Sequence, residues 1–165
     1  MTKRETTPTA PHVHQINVSK GGVPKRPVPE ARVTEKGVEG DRQRSRLFHG
    51  GPDRAVCLYS LEWIEALRAE GHAIAPGSAG ENLTIAGLDW SRLKPGDRLK
   101  VGKDVRLEIT SYTDPCRQNG CWFKDGNFDR ISQKKHPGWS RLYAKVLTEG
   151  LVRTGDPVAI EEAKG

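Results

Sequence analysis

The feature that most constrains this fold is punctuation. The 165 residues include 18 glycines and 11 prolines, and each frees or fixes the backbone in ways that end regular structure. A chain broken this often favours short strands and turns, and it excludes a helical bundle. The segments between the breaks agree. His14-Gln15-Ile16-Asn17-Val18 alternates apolar and polar residues at period two and reads as a first strand. Val28 to Val33 gives a second, interrupted by Pro29 and therefore expected at a sheet edge. Gly37 to Arg42 reads as a tight turn. Further strands are expected over Arg54 to Tyr59, at Leu83-Thr84-Ile85, over Val105 to Ile109 and over Tyr143 to Leu147. Gly96-Asp97 and Gly155-Asp156 both precede alternating apolar residues, which suggests related strand starts in a small barrel. One helix is clear: Ser60 caps it, Leu61, Ile64 and Leu67 share one face, and Gly71 ends it. A short second helix is expected within Asn127 to His136. The expectation is one mostly-β, barrel-like domain over residues 13–162 with one or two short inserted helices, behind a disordered tail at 1–12.

Charge and cysteine usage narrow the function classes. The longest apolar run, Ala55 to Tyr59, is far too short for a membrane span or a signal-peptide core. Three cysteines do not make a secreted disulfide framework. A cytoplasmic protein without a membrane partner is expected. The net charge of +6 is concentrated early: residues 1–54 hold 11 Lys/Arg against 6 Asp/Glu, and the remainder 16 against 15. That bias suits an anionic partner. Nucleic acid is disfavoured, because the four Trp and three Tyr form no recognisable stacking motif beside the basic residues.

Chemistry concentrates in Thr110 to Cys121. Asp114-Pro115 stiffens the chain after the Val105–Ile109 strand, and Cys116 follows with Arg117 beside it. A neighbouring cation favours thiolate, the form that binds metals and attacks electrophiles. The alternative is an inert loop thiol. Three uses of a reactive Cys116 compete: a soft-metal ligand beside an anionic cofactor, a persulfide carrier, and zinc ligation with Cys121 and His136, which lacks a fourth ligand. Too few thiolates remain for an iron–sulfur cluster. No His or Asn forms a thiol-protease pattern with Cys116, and Cys57 reads as a core thiol. Two other segments offer partners for an anion. Ser19-Lys20-Gly21-Gly22-Val23-Pro24-Lys25 presents backbone N–H groups and lysines, though an ordinary turn explains it equally well. His49-Gly50-Gly51-Pro52-Asp53-Arg54 is a rigid basic corner. Glu81 and Asn82 either orient a ligand or satisfy loop backbone groups.

These phrases together resemble the MOSC domain family, named for the C-terminal domain of molybdenum cofactor sulfurases, and within it the small stand-alone bacterial type. Matching segments run in the family's order from about residue 14 to 160: Val18-Ser19-Lys20-Gly21, Gly37 to Asp41, His49 to Ala55, Gly80-Glu81-Asn82-Leu83, Gly96-Asp97, Pro115-Cys116, and Gly150 to Val158. The resemblance implies a pyruvate-kinase-like β-barrel with the cysteine at its mouth. It implies a molybdenum cofactor (molybdopterin) with Cys116 as the catalytic cysteine and metal ligand. Ser19, Lys20 and Arg54 become candidates for holding the anionic pterin, with Asn82 a further one, and His49, Glu81 and Arg117 fall near the cleft. The activity implied is reduction of N-hydroxylated small molecules of the hydroxylaminopurine or amidoxime type. With no dinucleotide fingerprint in the chain, its electrons would come from a separate reductase. The alternatives are a persulfide sulfur carrier served by a cysteine desulfurase and a non-catalytic module for an anionic ligand. Cys121 departs from the family pattern and is either a disulfide partner of Cys116 or a surface bystander.

Overall fold

A computed structural model of the chain describes residues 10–21, 23–41, 51–115 and 117–161. Most of the expected tail, the basic stretch at 42–50 including His49, and Cys116 itself lie outside the described residues.

The described part opens with β1 (His12–Val18), β2 (Arg26–Val28), β3 (Glu30–Thr34) and the two-residue β4 (Gly37–Val38). β5 (Val56–Ser60) leads directly into α1 (Leu61–Ala69), and β6 (Leu83–Ala86) follows. The C-terminal half adds β7 (Arg98–Val101), β8 (Val105–Thr113), β9 (Arg141–Thr148), β10 (Gly150–Arg153) and β11 (Val158–Glu161). Eight strands form one mixed sheet in the order β11-β7-β8-β9-β5-β6-β1-β2, and β10-β3-β4 form a second.

Local sequence explains the elements. β5 is buried along its whole length because it lies between β9 and β6 and also underlies α1, so its run of apolar residues has no solvent face. β5 and β6 are parallel, and α1 with the loop behind it supplies the crossover such a pair requires. The Ser60 hydroxyl accepts from Trp63 N at 3.2 Å, capping α1 as expected. Ile64 and Leu67 are fully buried, each contributing about 1.5–3 kcal/mol of apolar burial. Gly71, at φ 99°, takes the left-handed turn that ends the helix. The two Gly-Asp turns are related as expected. Asp97 Oδ2 accepts from Lys94 N at 3.0 Å, Asp156 Oδ2 accepts from Arg153 N at 2.8 Å, and the strands they start, β7 and β11, pair with each other.

Four expectations need correction. The chain is mostly β with one α-helix, but no ladder closes the large sheet among the described residues. The sheet instead curls until one end touches the other. β2 reaches along β1 only from Val18 to Ile16, so the start of β1 is left with a free edge. That edge meets the lead into β11 through the His12–Pro157 bridge, Val13 N to Asp156 O at 2.9 Å and Val158 N to Pro11 O at 3.0 Å. The same contacts draw Pro11 and His12 into the domain, ahead of the expected boundary. Pro29 does more than mark an edge: it divides the expected second strand into β2 and β3, which belong to different sheets. Over Asn127 to His136 only a 3-10 turn forms, Phe128–Ile131, with Asn127 capping it.

Candidate functional site

The site is organised by the glycine-rich loop at 77–82. Gly77 sits at φ 86°, and a Cβ there would collide with the Lys25 carbonyl, so this loop lies directly against the 19–25 loop. Lys25 N donates to Gly77 O at 2.9 Å. On the loop's other side the Ala79 carbonyl accepts from Arg141 Nη1 at 2.6 Å and from Asn119 Nδ2 at 3.2 Å. Arg141 Nη2 donates at 3.1 Å to the carbonyl of Asp114, in the stem that carries Pro115 and Cys116. Three segments far apart in sequence are thereby cross-linked: 19–25, 77–82, and the two arms of the cysteine loop.

A buried polar network lies beneath them. Asp41 accepts from Ser19 N at 2.9 Å, Asn82 Nδ2 at 2.9 Å and Lys25 Nζ at 2.6 Å. Asn82 also exchanges both backbone-type bonds with Cys57, giving its N to Cys57 O at 2.8 Å and accepting Cys57 N at Oδ1 at 3.0 Å. Its remaining donor reaches Asn17 O at 3.3 Å, so the whole amide is engaged within the scaffold. Glu81 is fully buried; its Oε2 accepts from Gly77 N at 3.0 Å and Thr84 Oγ1 at 2.8 Å, while Oε1 has no partner. Burial pushes the Glu81 carboxyl pKa up, against the hydrogen bonds from Gly77 and Thr84. Cys57 lies in β5 as a core thiol, 4.0 Å from the Thr113 hydroxyl, and burial raises its pKa too.

The expected site residues fall into three groups. Ser19, Glu81 and Asn82 share the network just described. Lys20 and Arg117 are exposed, Arg117 opening the 3-10 turn Arg117–Trp122 that follows Cys116. Arg54 is also exposed; it ends the 3-10 turn Pro52–Arg54, and its guanidinium lies 5.5 Å from the centre of the Tyr143 ring. The Thr110 hydroxyl holds that turn against β8 by donating to Asp53 O. Cys121 is exposed.

Sequence reasoning missed Arg141, which opens β9 two residues ahead of the expected strand. It undervalued Asp41 and Lys25, although both lay in segments already singled out.

A second polar region lies beyond the cysteine loop. A cleft of about 410 Å³ is lined by Glu70, His72, Lys124 and Arg130 among others. Glu70 receives Arg130 bidentately at 3.0 and 2.8 Å, and chiefly for that reason its pKa falls. Arg130 also lies 4.0 Å from the Trp139 ring, which stacks on Trp63 at 4.0 Å and 13°. A tryptophan stack beside a basic residue therefore does exist, formed by residues too distant in sequence to be read as a motif.

What fold and site define together is a curled β domain in which the 77–82 loop lies between the 19–25 loop and the stem that leads to Cys116. Comparison places it within a known group: a MOSC domain profile matches residues 45–159, and the chain belongs to the MOSC domain family. The uncharacterized protein YflK of Bacillus subtilis is 32% identical over 139 residues, covering 81% of this chain; the chain spans 60% of YflK. A protein named "Reductase" from Gibberella moniliformis is 31% identical over 131 residues, covering 76% of this chain and 23% of that protein. Among solved structures, YiiM from Geobacillus stearothermophilus superimposes with a TM-score of 0.74 at 24% identity, covering 92% of this chain and 75% of that one, which shows a shared fold. No helix among the described residues is long and apolar enough to cross a membrane.

Proposed function

We propose that this chain binds a molybdenum cofactor through Cys116 and reduces N-hydroxylated small molecules with electrons from a separate reductase. The observation that carries the reading is the convergence of the 19–25 loop, the 77–82 loop and the cysteine-loop stem, cross-linked through Ala79, Arg141 and Asn119. The residues present fit an anionic pterin. Lys20 and Arg117 are exposed cations on two of these loops, and the buried Arg141 keeps a donor without a partner. The cofactor, when bound, supplies the two-electron redox centre.

The chain's own residues hold and shape the site. Cys116 would ligate as the thiolate, the only form of a cysteine that binds metal well. Ser19 and Lys20 stand on a loop whose position is fixed from below, because Asp41 ties Ser19 and Lys25 to Asn82. Arg141 sets where the loop stem lies by holding the Asp114 carbonyl. Asn82 and Glu81 act from beneath as positioning residues. Arg54 lies beside β8 over Tyr143, where it can meet an anionic ligand or partner from the solvent side. The match to only 23% of a protein named a reductase suits a module whose electrons arrive from other protein segments.

The test is turnover of a hydroxylaminopurine or amidoxime by the purified protein. Activity is expected only with an electron-donor reductase present, and it should vanish in Cys116→Ser. Turnover with NADH alone, or undiminished turnover in Cys116→Ser, would contradict the reading.

A further inference from the structure

Arg141 is only 6% exposed, yet it forms no ion pair with a carboxylate among the described residues. Its two hydrogen bonds go to neutral carbonyls, at Ala79 and Asp114, and Nε has no partner. A guanidinium carries five donors, so most of its capacity is unused in a buried setting. Burying a charge without a counter-charge is costly, and proteins rarely leave one so without a functional reason.

Two other shielded cations among the described residues are neutralised. Lys25 meets Asp41 at 2.6 Å, and Arg130 meets Glu70 through two bonds. Glu81 is the nearby acid, but it is not paired with Arg141, and burial pushes its pKa up, which weakens it as a counter-charge. Gly80 lets the loop pass close beside the guanidinium: a Cβ there would lie 4.0 Å from Arg141 Nη1 and would crowd Val23 Cγ1 at 3.2 Å.

We infer that Arg141 is an anion-binding residue that receives a phosphate-class oxyanion between the glycine-rich loop at 77–82 and the stem of the cysteine loop. The inference rests on the reading that this site holds a phosphate-bearing ligand. The oxyanion belongs either to the pterin cofactor or to a free phosphorylated compound. Arg141 matches a phosphate better than a lysine would, because its planar fork can hold the two loop carbonyls and still face an anion.

The experiment titrates inorganic phosphate into protein made without cofactor while following arginine Nε–H signals by ¹⁵N NMR, with Arg141→Lys identifying the Arg141 signal. That signal is expected to shift saturably with phosphate and to ignore chloride. Arg141→Lys should bind phosphate at least tenfold more weakly, and Arg153→Gln should match the wild type. An Arg141 signal indifferent to phosphate, or Arg141→Lys binding it as tightly as the wild type, overturns the inference. In cofactor-loaded protein, loss of the phosphate response assigns the site to the cofactor's own phosphate, whereas a persisting response assigns it to a free phosphorylated ligand. A phosphate response in protein that never acquires molybdenum leaves Arg141 standing and overturns the cofactor reading. Molybdenum binding with an indifferent Arg141 overturns this inference alone.

Discussion

Arg130 and Arg141 lie at the two ends of one stretch of chain and are treated in opposite ways. Arg130 is clamped by the Glu70 carboxylate and backed by Trp139, so its charge is matched and its plane is covered. Arg141 is deeper, has no ion-pair partner among the described residues, and bonds to the carbonyls of Ala79 and Asp114. The first arrangement describes a structural clamp, which fastens the end of α1 to the segment following the cysteine. The second is the arrangement on which the anion site proposed for Arg141 rests. The lesson is that burial, hydrogen bonding and charge balance must be read together, since either arginine alone could be mistaken for the other.

The comparison breaks most readily in stability measurements. Arg141→Gln takes a donor from the Asp114 carbonyl and one of two from the Ala79 carbonyl, which keeps Asn119, and should cost about 2 kcal/mol in urea unfolding. Arg130→Gln should cost about 0.5–1 kcal/mol, because Glu70 is substantially exposed and solvent screens the pair. Equal losses would mean that the two arginines do the same work.

The acids beside them should respond to pH with opposite sign. Glu70 has a lowered pKa, so its contribution is full above the ordinary carboxylate range and fades as pH falls through the folded value. Glu81 has a raised pKa, so the fold favours its protonated form, and stability is lost as pH rises from the ordinary carboxylate range through the folded value. Relative to wild type, Glu70→Gln should therefore be least harmful in acid, and Glu81→Gln least harmful, or stabilising, towards neutral pH. Thermal unfolding from pH 3 to 8 checks both slopes, and parallel slopes would contradict the assignment. The smallest effect belongs to the exposed cation Lys20: Lys20→Gln should change stability by no more than about 0.5 kcal/mol while weakening the binding of an anionic ligand.

The sequence exposed the parts of this fold whose causes are local. The caps of α1 at Ser60 and Gly71, the alternation in β1 and β8, and the paired Gly-Asp turns all follow from neighbouring residues. The division at Pro29 was visible as an interruption, but which sheet each half joins depends on β10, which lies far along the chain. The curl that replaces a closed barrel depends on how far β2 reaches along β1, and that is a matter of tertiary register. For the candidate site, Ser19, Glu81 and Asn82 were singled out because their loops are rich in glycine and polar groups, and the structure joins them in one network. Arg141 was missed because no local pattern separates a buried arginine at a strand start from an exposed one. The Trp63–Trp139–Arg130 stack was missed for the same reason, being assembled from α1 and two later loops.

The central claim is that Cys116 and the loops around it hold a molybdenum cofactor. Molybdenum content per chain, measured on protein made in a cofactor-competent host, tests it most directly. Wild type and Cys121→Ser should carry near-stoichiometric molybdenum, and Cys116→Ser should carry almost none. Stoichiometric zinc, a persulfide without metal, or molybdenum undiminished in Cys116→Ser would contradict the account.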